Sequence, residues 1–170
     1  MADRKLSALT ALTAPTADDT LYIVDSGVPK QIRLDDLSID GTFTPTLYGS
    51  TTAGTQTYTT QEGRYSRIGN IVTFKVNILL SAYDVATAGD LRIGGLPFTV
   101  NTHCPVTIGY IHNVTKPVDT IISALAYSAT TSIYLYSVLT GTTSANSAYI
   151  TNTSLTNLFA IIIAGSYITS

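Results

Sequence analysis

Tryptophan is absent, cysteine and methionine occur once each, and charged residues make up only 12% of the 170 positions. A soluble domain usually carries about a quarter charged residues, so roughly half the expected ionic surface is missing. With Cys104 alone, no intrachain disulfide can form, and no Cys/His spacing matches a structural zinc site. Lys and Arg nowhere cluster, and the net charge is −2, which removes the electrostatic attraction that drives binding to nucleic acid or to anionic membranes. The longest apolar run, Leu158 to Gly165, falls far short of the ~20 residues that span a bilayer. Met1-Ala2-Asp3-Arg4-Lys5 is not followed by a secretory apolar core. The expectation is a soluble protein made in a cytoplasm, with no nucleic-acid partner and no membrane insertion.

What charge there is lies unevenly. Eleven of the 20 charged side chains fall in the first 40 positions, and none follows Asp119, so the last 51 residues are ionically silent. A monomer facing water on every side rarely tolerates that, which points to surface shared with other subunits. The composition break sets a boundary near Asp40-Gly41: a head segment over 1–40 and a body over 41–170. In the head, Leu21–Val24 and Gln31–Leu34 flank a turn-rich Asp25–Lys30, which reads as a hairpin, marginal by itself in water. Upstream, Leu6, Leu9 and Leu12 recur every third residue ahead of Pro15, as a short helical turn or as an extended arm docked on a partner.

A hydrophobic fraction of 45% suffices for a core, and the body reads as strands punctuated by Gly, Pro, Asn and Thr, with no convincing amphipathic helix. The clearest strand is Ile71–Leu80, where Val72, Phe74, Val76, Ile78 and Leu80 share one parity and face a core. Gly69-Asn70 turns the chain into it from Gly63–Ile68, and both residues accept positive φ cheaply. Further strands are expected at Val106–Val114, Ile121–Ser128, Ser132–Leu139 and Leu158–Ile168, with shorter ones near Phe43–Tyr48, Gln56–Thr60 and Ala148–Thr151. Eight or nine strands of this kind predict an all-β, antiparallel β-sandwich. In the last strand Phe159, Ile161 and Ile163 alternate with apolar Ala160, Ile162 and Ala164, the pattern of a strand covered on both faces. The second cover is either a symmetry mate, which makes Phe159, Ile161, Ile162 and Ile163 the expected subunit interface, or the interior of one large sandwich.

Chemistry-bearing residues are sparse. Glu62, Asp84, Asp90, Asp119, His103, His112 and Cys104 are the body's titratable acids, imidazoles and thiol. Adjacent His103 and Cys104 point to opposite faces in a strand and do not form a nucleophile–base pair. Glu62 sits in a turn-like Gln-Glu-Gly, and Asp84 and Asp90 bracket a loop, so none matches the partly buried acid that glycoside chemistry needs. No phosphate-cradling glycine loop and no Gly-x-Ser-x-Gly elbow is present. The expectation is a non-enzymatic protein without cofactor or metal. Among the 11 tyrosines, Tyr134 and Tyr136 share a parity opposite to Ile133 and Leu135 and could form an exposed, carbohydrate-gripping strip. Packing at a subunit interface or under a loop is the stronger alternative for them.

Two stretches carry a family resemblance. Lys5–Thr10, Asp18–Asp25 and Lys30–Leu37 resemble an N-terminal module of phage tail and head-appendage proteins. Gly41–Pro45, Tyr58, Gly63–Asn70 and Leu91–Phe98 look like the jelly-roll domains of phage fibres and capsid decorations. This resemblance implies an N-terminal segment anchored on other virion proteins, through Leu6, Leu9, Leu12, Leu21, Ile23, Ile32 and Leu34. It further implies a jelly-roll-like head that forms a homotrimer with its last strands near the threefold axis, exposed at the virion surface. With no coiled-coil or collagen-like shaft in the sequence, a capsid decoration, knob or head-fibre protein is the first expectation. A tail-fibre or tailspike tip adhering to host surface carbohydrate is the alternative, and a hydrolase is the third.

Overall fold

In a computed structural model of the chain, residues 16, 19–33, 37–115, 120–139 and 147–170 are described. Internal contacts divide the chain into two units, Met1–Ile39 and Asp40–Ser170. The first unit contains an antiparallel hairpin of β1 (Thr20–Asp25) and β2 (Val28–Arg33). The loop is tighter than the sequence suggests: Ser26 and Gly27 form it alone, both at positive φ (51° and 80°). That is the geometry of a two-residue turn whose twist matches the strands. Pro29 therefore lies within β2, opposite Val24. Leu21, Ile23 and Ile32 share one face of the hairpin, with Leu21 47% and Ile23 38% exposed. Leu6, Leu9, Leu12 and Leu34 lie outside the described residues.

The second unit is one antiparallel sheet of ten strands. These are β3 (Ile39–Phe43), β4 (Thr46–Gly49), β5 (Thr57–Ile68), β6 (Ile71–Ala82), β7 (Leu91–Gly94), β8 (Cys104–Val114), β9 (Thr120–Ala126), β10 (Ile133–Leu139), β11 (Ser147–Tyr149) and β12 (Leu155–Ile168). Their order is β3-β5-β6-β12-β8-β9-β10-β7-β4, with β11 added to β10. The two edge strands β3 and β4 are joined by only Thr44-Pro45, so the sheet must bring its own edges together. Gln61 in β5 donates to the Pro45 carbonyl at 3.0 Å, and the Leu47 amide in β4 donates to the Tyr58 hydroxyl in β5 at 2.9 Å. The sheet thus curls into a half-barrel, a sandwich-like form of the expected all-β class.

The interior follows from period-two patterning. Val72, Phe74, Val76, Ile78 and Leu80 of β6 are buried, as the alternation requires, and Ile71 and Ile68 at the Gly69-Asn70 turn are exposed. Of the two turn residues only Gly69 takes positive φ, at 60°. From the other side of the curl, Leu47, Leu91, Ile93, Ile133 and Leu135 complete a single hydrophobic cluster with them. Burying each such side chain contributes about 1.5–3 kcal/mol. One expected strand, Phe43–Tyr48, is split in two, because Pro45 lacks the N–H that a continuous ladder needs. That break is the corner between the sheet's edges.

β12 is the central strand of this sheet, paired with β6 on one side and β8 on the other. Phe159, Ile161 and Ile163 are each 0% exposed and belong to the chain's own core. As subunit-interface residues these three are therefore corrected: their inward parity commits them to the protomer. Ile162, of opposite parity, faces the outside of the sheet and is half-buried.

Candidate functional site

The outer face of the β4–β7–β10–β9 quarter carries a cluster of polar and aromatic side chains. Arg92 and Tyr134 are register partners between β7 and β10, and Tyr136 of β10 lies opposite Tyr149 of β11. The Arg92 guanidinium carbon sits 4.2 Å from the Tyr134 ring centroid, and the Tyr127 ring stacks on Tyr134 at 4.2 Å and 8°. Since β7 and β9 flank β10 on opposite sides, Arg92 and Tyr127 cover opposite faces of that ring. His103 closes the row edge-on against Tyr127 at 4.3 Å. Tyr149 meets Tyr134 edge-on at 6.0 Å and Tyr136 at 4.8 Å. At the other end, the Tyr48 and Ser132 hydroxyls are hydrogen-bonded at 2.8 Å.

This geometry corrects the expected adhesive strip. Tyr134 is only 7% exposed, because its faces are consumed by Arg92 and Tyr127, so it offers no stacking platform to a ligand. Tyr136 is half-buried and Tyr149 is 38% exposed. What the row can present outward is ring edges and hydroxyls, suited to hydrogen bonding more than to stacking. Burial raises the Tyr134 hydroxyl above the ordinary tyrosine range, with Arg92 pulling the other way, and burial together with Tyr149 raises that of Tyr136. Arg92 pairs loosely with Asp90 at 3.9 Å, and its buried Nε has no hydrogen-bond partner among the described residues. Reading the sequence alone missed Arg92, Tyr127 and Tyr149, which only the strand pairing brings together.

A second feature lies where β8 and β9 part. Among the described residues their ladder runs through Cys104–Ala126, Pro105–Leu125 and Val106–Ala124. Beyond it, Gly109 is an extra residue in β8, since consecutive Ile163 and Ile162 of β12 pair with Ile108 and Tyr110. Such a bulge bends the strand that carries it. Further along, β12 advances from Leu155 to Ala160 while β8 moves only from Val114 to His112. The excess is held by the Asn113 side-chain amide, which donates to the Asn157 and Leu158 carbonyls at 3.2 and 3.0 Å. Both Asn113 and Leu158 sit in the left-handed region (φ 57° and 62°). The diverging strands leave a cleft of about 470 Å³, floored by Ile108, Ile111 and Ile122 and rimmed by Ile121, His112 and Asn113.

Asp119 lies outside the described residues, and among those described the other candidate groups have separate local partners. The Asp84 carboxylate accepts from the Thr55 and Ala86 amides at 2.7 and 2.9 Å, which holds it below the usual carboxylate range and marks it as a loop brace. Glu62 lies within β5 opposite Asn77, and His103 accepts at Nδ1 from the Ser128 amide at 3.1 Å. The Cys104 thiol donates to the Thr102 carbonyl. Among the described residues no group of three or more His, Cys, Asp or Glu could hold a metal ion, and no helix is long and apolar enough to cross a membrane.

No protein-family model and no curated protein matches the chain. Among solved structures it is similar to the crystal structure of the Dettilon tailspike protein, with a TM-score of 0.62 and 23% identity. The match covers 77% of this chain and 24% of that one, so this chain spans about a quarter of the length of the protein it resembles. At that identity the likeness is one of fold.

Proposed function

We propose that the chain is a non-enzymatic structural module of a bacteriophage virion appendage, of the tailspike or tail-fibre type. The observation that supports this reading is the shared fold with part of a tailspike, over more than three quarters of the chain. The same observation favours a tail over a capsid location, the first expectation from the sequence. In this reading the hairpin face of Leu21, Ile23 and Ile32 anchors the chain on another virion protein, since an isolated two-stranded ribbon does not stand alone in water. Copies of the body associate, as a homotrimer, through the outer face of β12 and β8. There Ile162 and Tyr110 are register partners, Ala160 and Ala164 lie on the same face, and Tyr110 is 49% exposed. The hydroxyl row of Tyr136 and Tyr149 supplies contacts to host surface carbohydrate.

Electron microscopy of intact particles tests the location. Density for the body at the tail apparatus is the expected result, lost from particles assembled with a chain lacking Met1–Asp40. Density on the capsid lattice would overturn the tail reading.

A further inference from the structure

We infer that the cleft between β8 and β9 is a strand-acceptor site, which takes an extended, uncharged segment of a second polypeptide as an inserted strand. Two open main-chain edges face each other across it. β8 is paired on its β12 side, yet over Thr107–Val114 its other side has no strand partner among the described residues. β9 is paired with β10, yet Ile121–Ser123 have no strand partner among the described residues on the side towards β8. A sheet interior that stops pairing partway presents a row of N–H and C=O groups that can template pairing with another strand. Addition of an extended peptide to such an edge draws affinity from main-chain hydrogen bonds and specificity from pockets for alternate side chains.

The lining says what those side chains are. Ile108, Ile111 and Ile122 are half-buried on the floor, packed against the core, while Ile121 stands 61% exposed at the rim. Among the described lining residues none is Asp, Glu, Lys or Arg, so a charge on the inward face of the occupant would be desolvated without a partner. The connection 116–119, with Lys116 and Asp119, lies outside the described residues, and no part is assigned to it. The occupant is therefore a strand with apolar residues at alternate positions on its inward face and no charge there. A saccharide has no array of donors and acceptors at the strand repeat and does not complete both edges.

The test uses the full chain and a synthetic, capped heptapeptide of alternating threonine and isoleucine. A second peptide of the same sequence has its alternate amides N-methylated, so that the apolar side chains remain and the donors do not. Binding is followed by calorimetry, and the edge is read by amide hydrogen exchange. Expected is binding of the first peptide, with exchange slowed in Thr107–Val114 and Ile121–Ser123, and at least about ten-fold weaker binding of the methylated peptide. Substitution Ile121→Lys, at an exposed position that leaves the fold intact, weakens the first peptide by about ten-fold as well. Three results would overturn the inference: no binding of the unmethylated peptide, equal binding of both peptides, or binding without slowed exchange in those two segments. Slowing of the same amides by neutral oligosaccharides in place of the peptide would reassign the cleft.

Discussion

Arg92 does more for the outer face of the sheet than its distant carboxylate partner suggests. Its guanidinium lies over the Tyr134 ring, Tyr127 stacks on that ring and His103 meets Tyr127 edge-on, so one cation sits in a row that spans several strands. Cation–π contacts contribute about 0.5–2 kcal/mol depending on desolvation. Replacement Arg92→Ala is expected to lower stability by about 1–2 kcal/mol in urea unfolding, and an unchanged midpoint would show that the rings stand without it. Tyr167 offers a pH test. Burial, opposed by the Phe98 amide and Arg67, pushes its hydroxyl up to about 12 from 10.0. The unfolded chain ionises first, so the contribution of Tyr167 is complete below pH 10 and fades as pH rises towards 12. Phenylalanine at 167 should flatten part of the alkaline decline in melting temperature; Tyr58, Tyr83, Tyr134 and Tyr136, whose hydroxyls burial also raises, contribute to the remainder. Neither role could be read from residue order, because Arg92 meets Tyr134 only through the pairing of β7 with β10, and Tyr167 reaches the Phe98 amide across 69 positions.

At the scale of single elements, alternation was informative where one face meets the core and the other water. β6 is the clear case, with Val72 to Leu80 buried at every second position. β12 was harder, since apolar residues on both faces fit a symmetry mate as well as a central position. The structure makes it central, and neighbouring isoleucines now carry different expectations. Ile161→Ala removes buried volume and should cost about 2–5 kcal/mol, whereas Ile162→Ala should cost less than about 1 kcal/mol in the isolated protomer. On the proposed interface the second substitution instead lowers the sedimentation coefficient at fixed concentration. Equal losses of stability would mean that the outer face of β12 is covered within the chain. β7 was missed because four residues ending in glycine carry too little pattern to announce a strand.

For the whole molecule, internal contacts divide the chain into Met1–Ile39 and Asp40–Ser170. The body closes its own core, while the described hairpin exposes Tyr22 and Val24 at 75% and 73%. Removal of residues 1–39 is therefore expected to leave the melting temperature of the body within roughly 2 °C of the full chain, by calorimetry. A larger drop would show that the body depends on the head. The curl of the sheet was not foreseeable as a half-barrel, because it depends on β3 and β4 becoming opposite edges joined at Thr44-Pro45.

The placement of β12 also governs how the body can be made. Val76 waits for Ile163, 87 residues further along the chain, before the middle of the sheet exists. Pairings of such separation slow folding, because the intervening loop must close before any contact rewards it. The local β5–β6 and β9–β10 pairs can form early, but β6 and β8 each keep one edge open until the chain has been made as far as Ile168 and β12 joins them. Until then those two edges are open to pairing with other copies of the chain.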